Sequence, residues 1–131
     1  MIVSHTHKCI FIHIPKTGGL SIHRTLKKEL FGGFQSLGHQ KITHKHCKHY
    51  KDKYFSFCFV RNPWDRFVSA YNYLKQGGMN TSDKNDRDRY IAPFKTFEDL
   101  VCNIDNAKLL KQQHFLPQYY FFLNSPKTPT T

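Results

Sequence analysis

The stretch HIPKTGGLSIHRTL, residues 13–26, decides how this chain is read. Just upstream, KCIFIHI (8–14) is short, rich in β-branched and aromatic residues, and stopped by Pro15, which is the pattern of a buried strand. Downstream, Ile22, Leu26 and Leu30 recur four apart on one helical face, Arg24, Lys27 and Lys28 lie off it, and Gly32-Gly33 mark its end. The order is strand, glycine turn, helix. Without side chains, Gly18 and Gly19 let backbone approach an anion closely. The helix that starts there presents unpaired N–H groups and a partial positive charge. Lys16 adds a full charge, and Thr17 and Ser21 add hydroxyl donors. The plainer alternative is a loop lysine ahead of a helix that begins at glycine. The common nucleotide-triphosphate loop, G-x-x-x-x-G-K-[ST], carries its lysine after the glycines. Here Lys16 precedes them and no glycine lies upstream. A Mg-dependent ATPase is therefore disfavoured.

The unit repeats. YFSFCFV (54–60) reads as the strongest strand, apolar on both faces like a central parallel strand. RNPWDRFVSAYNYLKQGG follows, with Asn62 to cap, Pro63 at the first helical position and Gly77-Gly78 as the stop. Trp64, Phe67, Val68, Tyr71 and Leu74 form its expected inward stripe. Two such units predict an α/β fold around a parallel sheet, with ligands beyond the carboxyl ends of the strands. Both distinctive clusters, PKTGG and RNPWDR, fall at that edge. Elsewhere, residues 35–53 read as a loop with a short helix, 79–90 as a charged loop, and 96–104 as a short helix capped by Thr96. HFLPQYYFFLN (114–124) is ambiguous between helix and strand. A single domain over 1–124 is expected, with 125–131 as a disordered tail.

The totals agree with one domain of 131 residues. The apolar fraction is a lean 39%, and twelve Phe and seven Tyr carry much of the burial. Twenty Lys+Arg against nine Asp+Glu give a net charge of +11, which favours an anionic partner such as a nucleotide, a sulfated or carboxylated glycan, nucleic acid or a membrane surface. Cys9, Cys47, Cys58 and Cys102 are widely spaced and demand no disulfide framework. No apolar run approaches the ~20 residues of a membrane span. The N-terminal stretch has no signal-peptide pattern, so a cytoplasmic location is expected.

IPKTGGLS followed by FVRNPWDRFVSAY strongly resembles the sulfotransferase superfamily, in particular its carbohydrate and related sulfotransferases. The resemblance takes in the His39 region and HFLPQ, so it spans most of residues 8–120. It implies a P-loop-like three-layer fold around a parallel sheet. It also implies transfer of a sulfuryl group from 3′-phosphoadenosine 5′-phosphosulfate (PAPS) to a hydroxyl, with carbohydrate as the expected acceptor and no metal. By motif match, Lys16, Thr17, Gly18, Gly19, Leu20 and Ser21 hold the 5′-phosphosulfate, and Arg61 and Ser69 the 3′-phosphate. The arginine fork suits phosphate oxygens. Leu20 stands where the family usually has Thr or Ser, which removes one hydroxyl donor. The chain is also short at its C-terminus against relatives that continue with further sheet and helix elements.

Sulfuryl transfer needs a base for the acceptor hydroxyl and a cation for the departing phosphate. Lys16 is the candidate cation. The resemblance points to His39 as base, with His44 and His46 as alternatives in GHQKITHKHCKHY. The same histidines are too crowded for a zinc site of standard spacing. His114 and Gln118 in HFLPQ match the family's pattern near acceptor or nucleotide; helix packing by Phe115, Leu116 and Tyr119 is the competing reading. The rival function is a non-catalytic anion- or glycan-binding module. The chain carries no nucleic-acid-binding signature, and a nucleotide kinase is disfavoured by the loop order.

Overall fold

The computed structural model describes residues 1–29, 34–36, 53–105 and 108–122. Its backbone falls into two compact units, Met1–Val60 with Pro117–Thr131, and Arg61–Leu116.

The first unit holds a four-stranded sheet of β1 (Ile2–Ser4), β2 (Cys9–Ile12), β3 (Phe34–Ser36) and β4 (Phe55–Cys58), in the order β3-β1-β2-β4. β2 and β4 pair in parallel, from Cys9 opposite Phe55 to Ile12 opposite Cys58. The two strands expected from the sequence are therefore neighbours and run the same way. The sheet as a whole is mixed, not parallel throughout. β1 runs antiparallel to both β2 and β3. Only four residues, 5–8, join β1 to β2, and so short a link permits only an antiparallel neighbour. Lys8 takes a left-handed backbone (φ 49) to close that turn, and the Ser4 hydroxyl accepts from the His7 N–H at 3.2 Å. Ile10, Phe11 and Ile12 are all buried, so β2 is covered on both faces as its composition predicts.

β4 departs from expectation. Among the described residues it pairs with β2 alone and ends the sheet. Phe55 is 73% exposed, and Phe59 and Val60 just beyond the strand are exposed as well. A continuous apolar run of this kind usually marks a central strand. Here Phe57 and Phe59 stay on Phe11, with ring centroids 5.5 and 6.2 Å away. β3 also differs, since residues 34–36 were not expected to be a strand. Helix α1 (Gly19–Glu29) follows β2 as predicted.

The second unit is helical: α2 (Pro63–Lys75), α3 (Thr81–Tyr90) and α4 (Phe97–Cys102), then a 3₁₀ turn at Leu109–Lys111. α2 begins where the sequence says, with the Asn62 side chain accepting from the Trp64 and Asp65 N–H groups. It ends in a Schellman arrangement. The Gly77 N–H bonds to the Leu74 carbonyl at 2.7 Å and the Gly78 N–H to the Tyr73 carbonyl at 3.0 Å, with both glycines at positive φ. Ala70, Tyr71, Leu74, Ile91, Leu100, Leu109 and Phe115 form the core, with Phe67 and Phe97 packed on it. The inward stripe is thus Phe67, Tyr71 and Leu74. Trp64, 80% exposed, and Val68, also exposed, do not belong to it. At the first turn, the Asn62 cap and Pro63 start the helix with Trp64 turned out.

The charged segment 79–90 is not a loop but α3. It has no apolar stripe to betray it, and its start depends on polar contacts: the Asn80 side chain accepts from the Asp83 N–H at 2.9 Å. α4 carries the expected Thr96 cap as a full capping box, since Thr96 Oγ1 accepts from the Asp99 N–H and Asp99 Oδ2 from the Thr96 N–H. The ambiguous aromatic segment ends in a 3₁₀ turn, Gln118–Phe121, in the first unit. No helix among the described residues is long and apolar enough to cross a membrane.

The corrected stripe predicts a contrast in equilibrium unfolding. Leu74→Ala should cost about 2–5 kcal/mol by opening a core cavity. Trp64→Ala should stay within about 0.5 kcal/mol of wild type. A large loss at Trp64 would contradict this packing of α2.

Candidate functional site

The glycine turn connects β2 to α1, and its backbone is held in an unusual shape. Lys16 has φ 68 and Gly18 φ 81. A left-handed residue with a Cβ costs roughly 1–2 kcal/mol, and such strain concentrates at functional sites. The Thr17 hydroxyl donates to the Ile14 carbonyl at 2.9 Å, so its proton is used in holding the turn. The Ser21 and Ile22 N–H groups return to the Gly18 carbonyl at 3.1 and 3.4 Å, which starts α1. Gly19 is buried, and a Cβ there would overlap the His13 imidazole. The ring of His13 in turn stacks on Phe11, with centroids 5.9 Å apart and planes at 21°. Glycine is obligatory at 19 because of what lies against it.

α1 differs from the other described helices at its N-terminus. α2, α3 and α4 are each capped by an Asn or Thr side chain and carry acidic residues in the first turn. α1 has no acidic residue in its first turn, and the residue before it, Gly18, has no side chain to cap with. Its first N–H groups therefore receive no cap from the preceding side chain, and no acidic side chain of the first turn offsets their partial charge. Leu20 and Ser21 are exposed there, and Lys16 is half-buried. The six residues expected to hold an anion run from Lys16 into the first three residues of α1.

Arg61 and Ser69 belong to the second unit. Arg61 is exposed, immediately before the Asn62 cap; Ser69 is half-buried on α2. The Asn62 side chain already accepts from the Trp64 and Asp65 N–H groups, so those amides are engaged at this end of α2. His39, His44 and His46 lie outside the described residues.

His114 and Gln118 fall in different units. Gln118 is half-buried at the start of its 3₁₀ turn. His114 is 5% exposed and sits in a polar cluster. Gln112 Nε2 donates to Asp86 Oδ2 and faces His114 Nδ1, both at 2.9 Å, while Gln112 Oε1 accepts from the His114 N–H. Gln112 thus engages both the ring and the backbone of His114. The ring also lies 5.1 Å from that of Tyr73. Tyr73 donates to Asp83 Oδ2 at 2.6 Å, and the Met79 N–H donates to the same oxygen.

Burial foremost, then the hydrogen bond and charge of Asp83, push the Tyr73 hydroxyl up to about 12. For Asp83, burial works to raise the carboxyl, but the Tyr73 and Met79 hydrogen bonds together with His114 bring it below the ordinary value. A buried arginine, Arg66, donates from Nη1 to the Leu116 carbonyl at 2.9 Å, and burial lowers its pKa. Sequence reading missed the parts played by His13, Tyr73, Asp83 and Arg66. The one available signal was Asn80 three residues before Asp83, a helix-start spacing hidden in a segment without apolar period.

Two outcomes follow. Lys16→Gly should raise unfolding stability by about 1 kcal/mol by relieving the left-handed strain, while weakening anion binding; a loss of stability would contradict the strained turn. The unfolded tyrosine titrates near 10 and the folded one near 12, so stability carried by Tyr73 is full below pH 10 and lost as pH rises to about 12. Tyr73→Phe should cost about 1–3 kcal/mol at neutral pH and flatten that alkaline decline, as read by unfolding at pH 7 and pH 11.

Comparisons with known proteins bear on the same residues. Searches of curated proteins and of solved structures give no significant match. The profile of the Sulfotransferase family matches residues 1–128, which takes in the glycine turn, the Arg61 segment and HFLPQ. The chain belongs to the Sulfotransferase family, a family of PAPS-dependent enzymes.

Proposed function

We propose that the chain transfers a sulfuryl group from PAPS to a hydroxyl acceptor, with a carbohydrate as the acceptor class. The observation that carries this reading is the uncapped N-terminus of α1 behind a left-handed lysine, on a chain of this family. The residues present suit the nucleotide, since Gly18 is exposed with nothing within 4 Å of where a side chain would stand.

When bound, PAPS supplies an activated sulfuryl group on its 5′-phosphate. The turn Lys16–Ser21 holds that end, chiefly through backbone N–H groups. Thr17 locks the turn through Ile14, and Ser21 offers its hydroxyl. Lys16 sets its ammonium against the oxygen on which negative charge develops, a contribution that grows as charge builds up. Arg61 and Ser69 hold the 3′-phosphate, with Arg61 offering a planar fork for two oxygens. His39 takes the proton of the acceptor hydroxyl, with His44 and His46 as alternatives in the same segment. Gln118 and His114 stand near the acceptor or the nucleotide in this reading, with His114 Nδ1 engaged by Gln112. The reaction is thereby reduced to positioning and charge stabilisation, as in phosphoryl transfer.

The net charge of +11 also favours a second reading, a module that binds an anionic glycan without turnover. Titration with 3′-phosphoadenosine 5′-phosphate (PAP) and with AMP separates the two. The enzyme reading expects strong preference for PAP, and Lys16→Ala and Arg61→Ala should each weaken PAP by about 10- to 100-fold, the value of a charged hydrogen bond. Equal affinity for PAP and AMP favours the module. His39→Ala should abolish sulfate transfer to a glycan panel while leaving PAP binding intact; unchanged turnover would move the base to another histidine.

A further inference from the structure

We infer that His13 is a positioning residue of the donor-nucleotide turn, and that His13 and Gly19 form a matched pair which sets where the first N–H groups of α1 point. This rests on the reading of that turn as the PAPS site. Three observations converge on it. The imidazole occupies the space that a Cβ at position 19 would fill, with Nε2 the nearest atom. The ring is braced by stacking on Phe11, a residue 1% exposed that also meets Phe57 and Phe59 of the β4 segment. And Gly19 opens the one described α-helix whose preceding residue has no side chain to cap with and whose first turn has no acidic residue.

His13 therefore works as a rigid spacer. An aromatic row running from β4 through Phe11 ends in the imidazole, and the helix start rests on it. A smaller side chain at 13 would let the turn settle towards the sheet, and the Gly18, Gly19 and Leu20 N–H groups would then diverge from their common target. A larger residue at 19 would push the turn away. Both changes misdirect the same donors by opposite displacements, so each should partly compensate the other. A residue that merely filled core volume would show no such reciprocity.

The test is a double-mutant cycle on PAP affinity, measured by calorimetry on the full chain with thermal unfolding alongside. His13→Ala should weaken PAP about 3- to 10-fold and Gly19→Ala at least 10-fold, while the double variant His13→Ala/Gly19→Ala should bind more tightly than Gly19→Ala alone. Losses that simply multiply, or wild-type affinity in His13→Ala, would overturn the proposal. Should a variant fail to fold, the wild-type chain gives an independent readout. The ring resonances of His13 should shift on addition of PAP and stay in place on addition of adenosine; a ring indifferent to both overturns the proposal. Wild-type protein that binds PAP while His13 is indifferent removes this inference alone. Wild-type protein that does not bind PAP removes the donor-site reading and this inference with it.

Discussion

The close contact between the His13 ring and the Cα of Gly19 is the constraint on which the rest of the site depends. It fixes how near the start of α1 lies to the end of β2, and so leaves the intervening residues little choice of path. Lys16 and Gly18 must turn left-handed to cover that distance. Thr17 then ties back to Ile14, the last residue before Pro15, and the Gly18 carbonyl receives the first bonds of the helix. β2 can hold this turn because Ile10, Phe11 and Ile12 are buried on both faces and Ile14 is fully buried behind them. The strain at Lys16 is thus held by packing, and packing alone gives no reason for a lysine to stand there.

The chain manages its helix ends in two ways. Where stability is the task, polar side chains close the N-terminus: Asn62, Asn80 and Thr96 each accept N–H bonds, each worth about 1 kcal/mol. At α1 that contribution is forgone, and the open donors sit beside a lysine. An anion restores the missing partners, so binding and local stability are linked at this turn. In the helical unit, polar groups are instead consumed internally. Asp83 accepts from Tyr73 and Met79, and Gln112 is spent on Asp86 and His114. That cluster directs these polar groups at one another, which separates it from the anion turn in kind.

Much of this was legible in the sequence where local chemistry decides. The parallel β2–β4 pair, the Asn62-Pro63 start of α2, its glycine stop and the Thr96 cap all follow from residue types at fixed offsets. Three features did not follow, for physical reasons. β1 and β3 are only three residues long and have meaning only through their partners. α3 has no apolar face, since it attaches through Asp83, and periodicity is blind to a polar anchor. Trp64 and the exposed phenylalanine of β4 mislead because hydrophobicity says that a side chain can be buried, not that it is. Within the site, the motif residues could be read directly. The role of His13 could not, because it depends on a contact across five intervening residues that only coordinates reveal.

The central claim, that the open amides of α1 grip the anionic end of the nucleotide, is tested most directly by amide proton shifts in the labelled chain titrated with PAP. The account predicts large downfield movements at Gly18, Gly19 and Leu20, the signature of newly formed charged hydrogen bonds. Saturating PAP that leaves those three resonances where they were would contradict it.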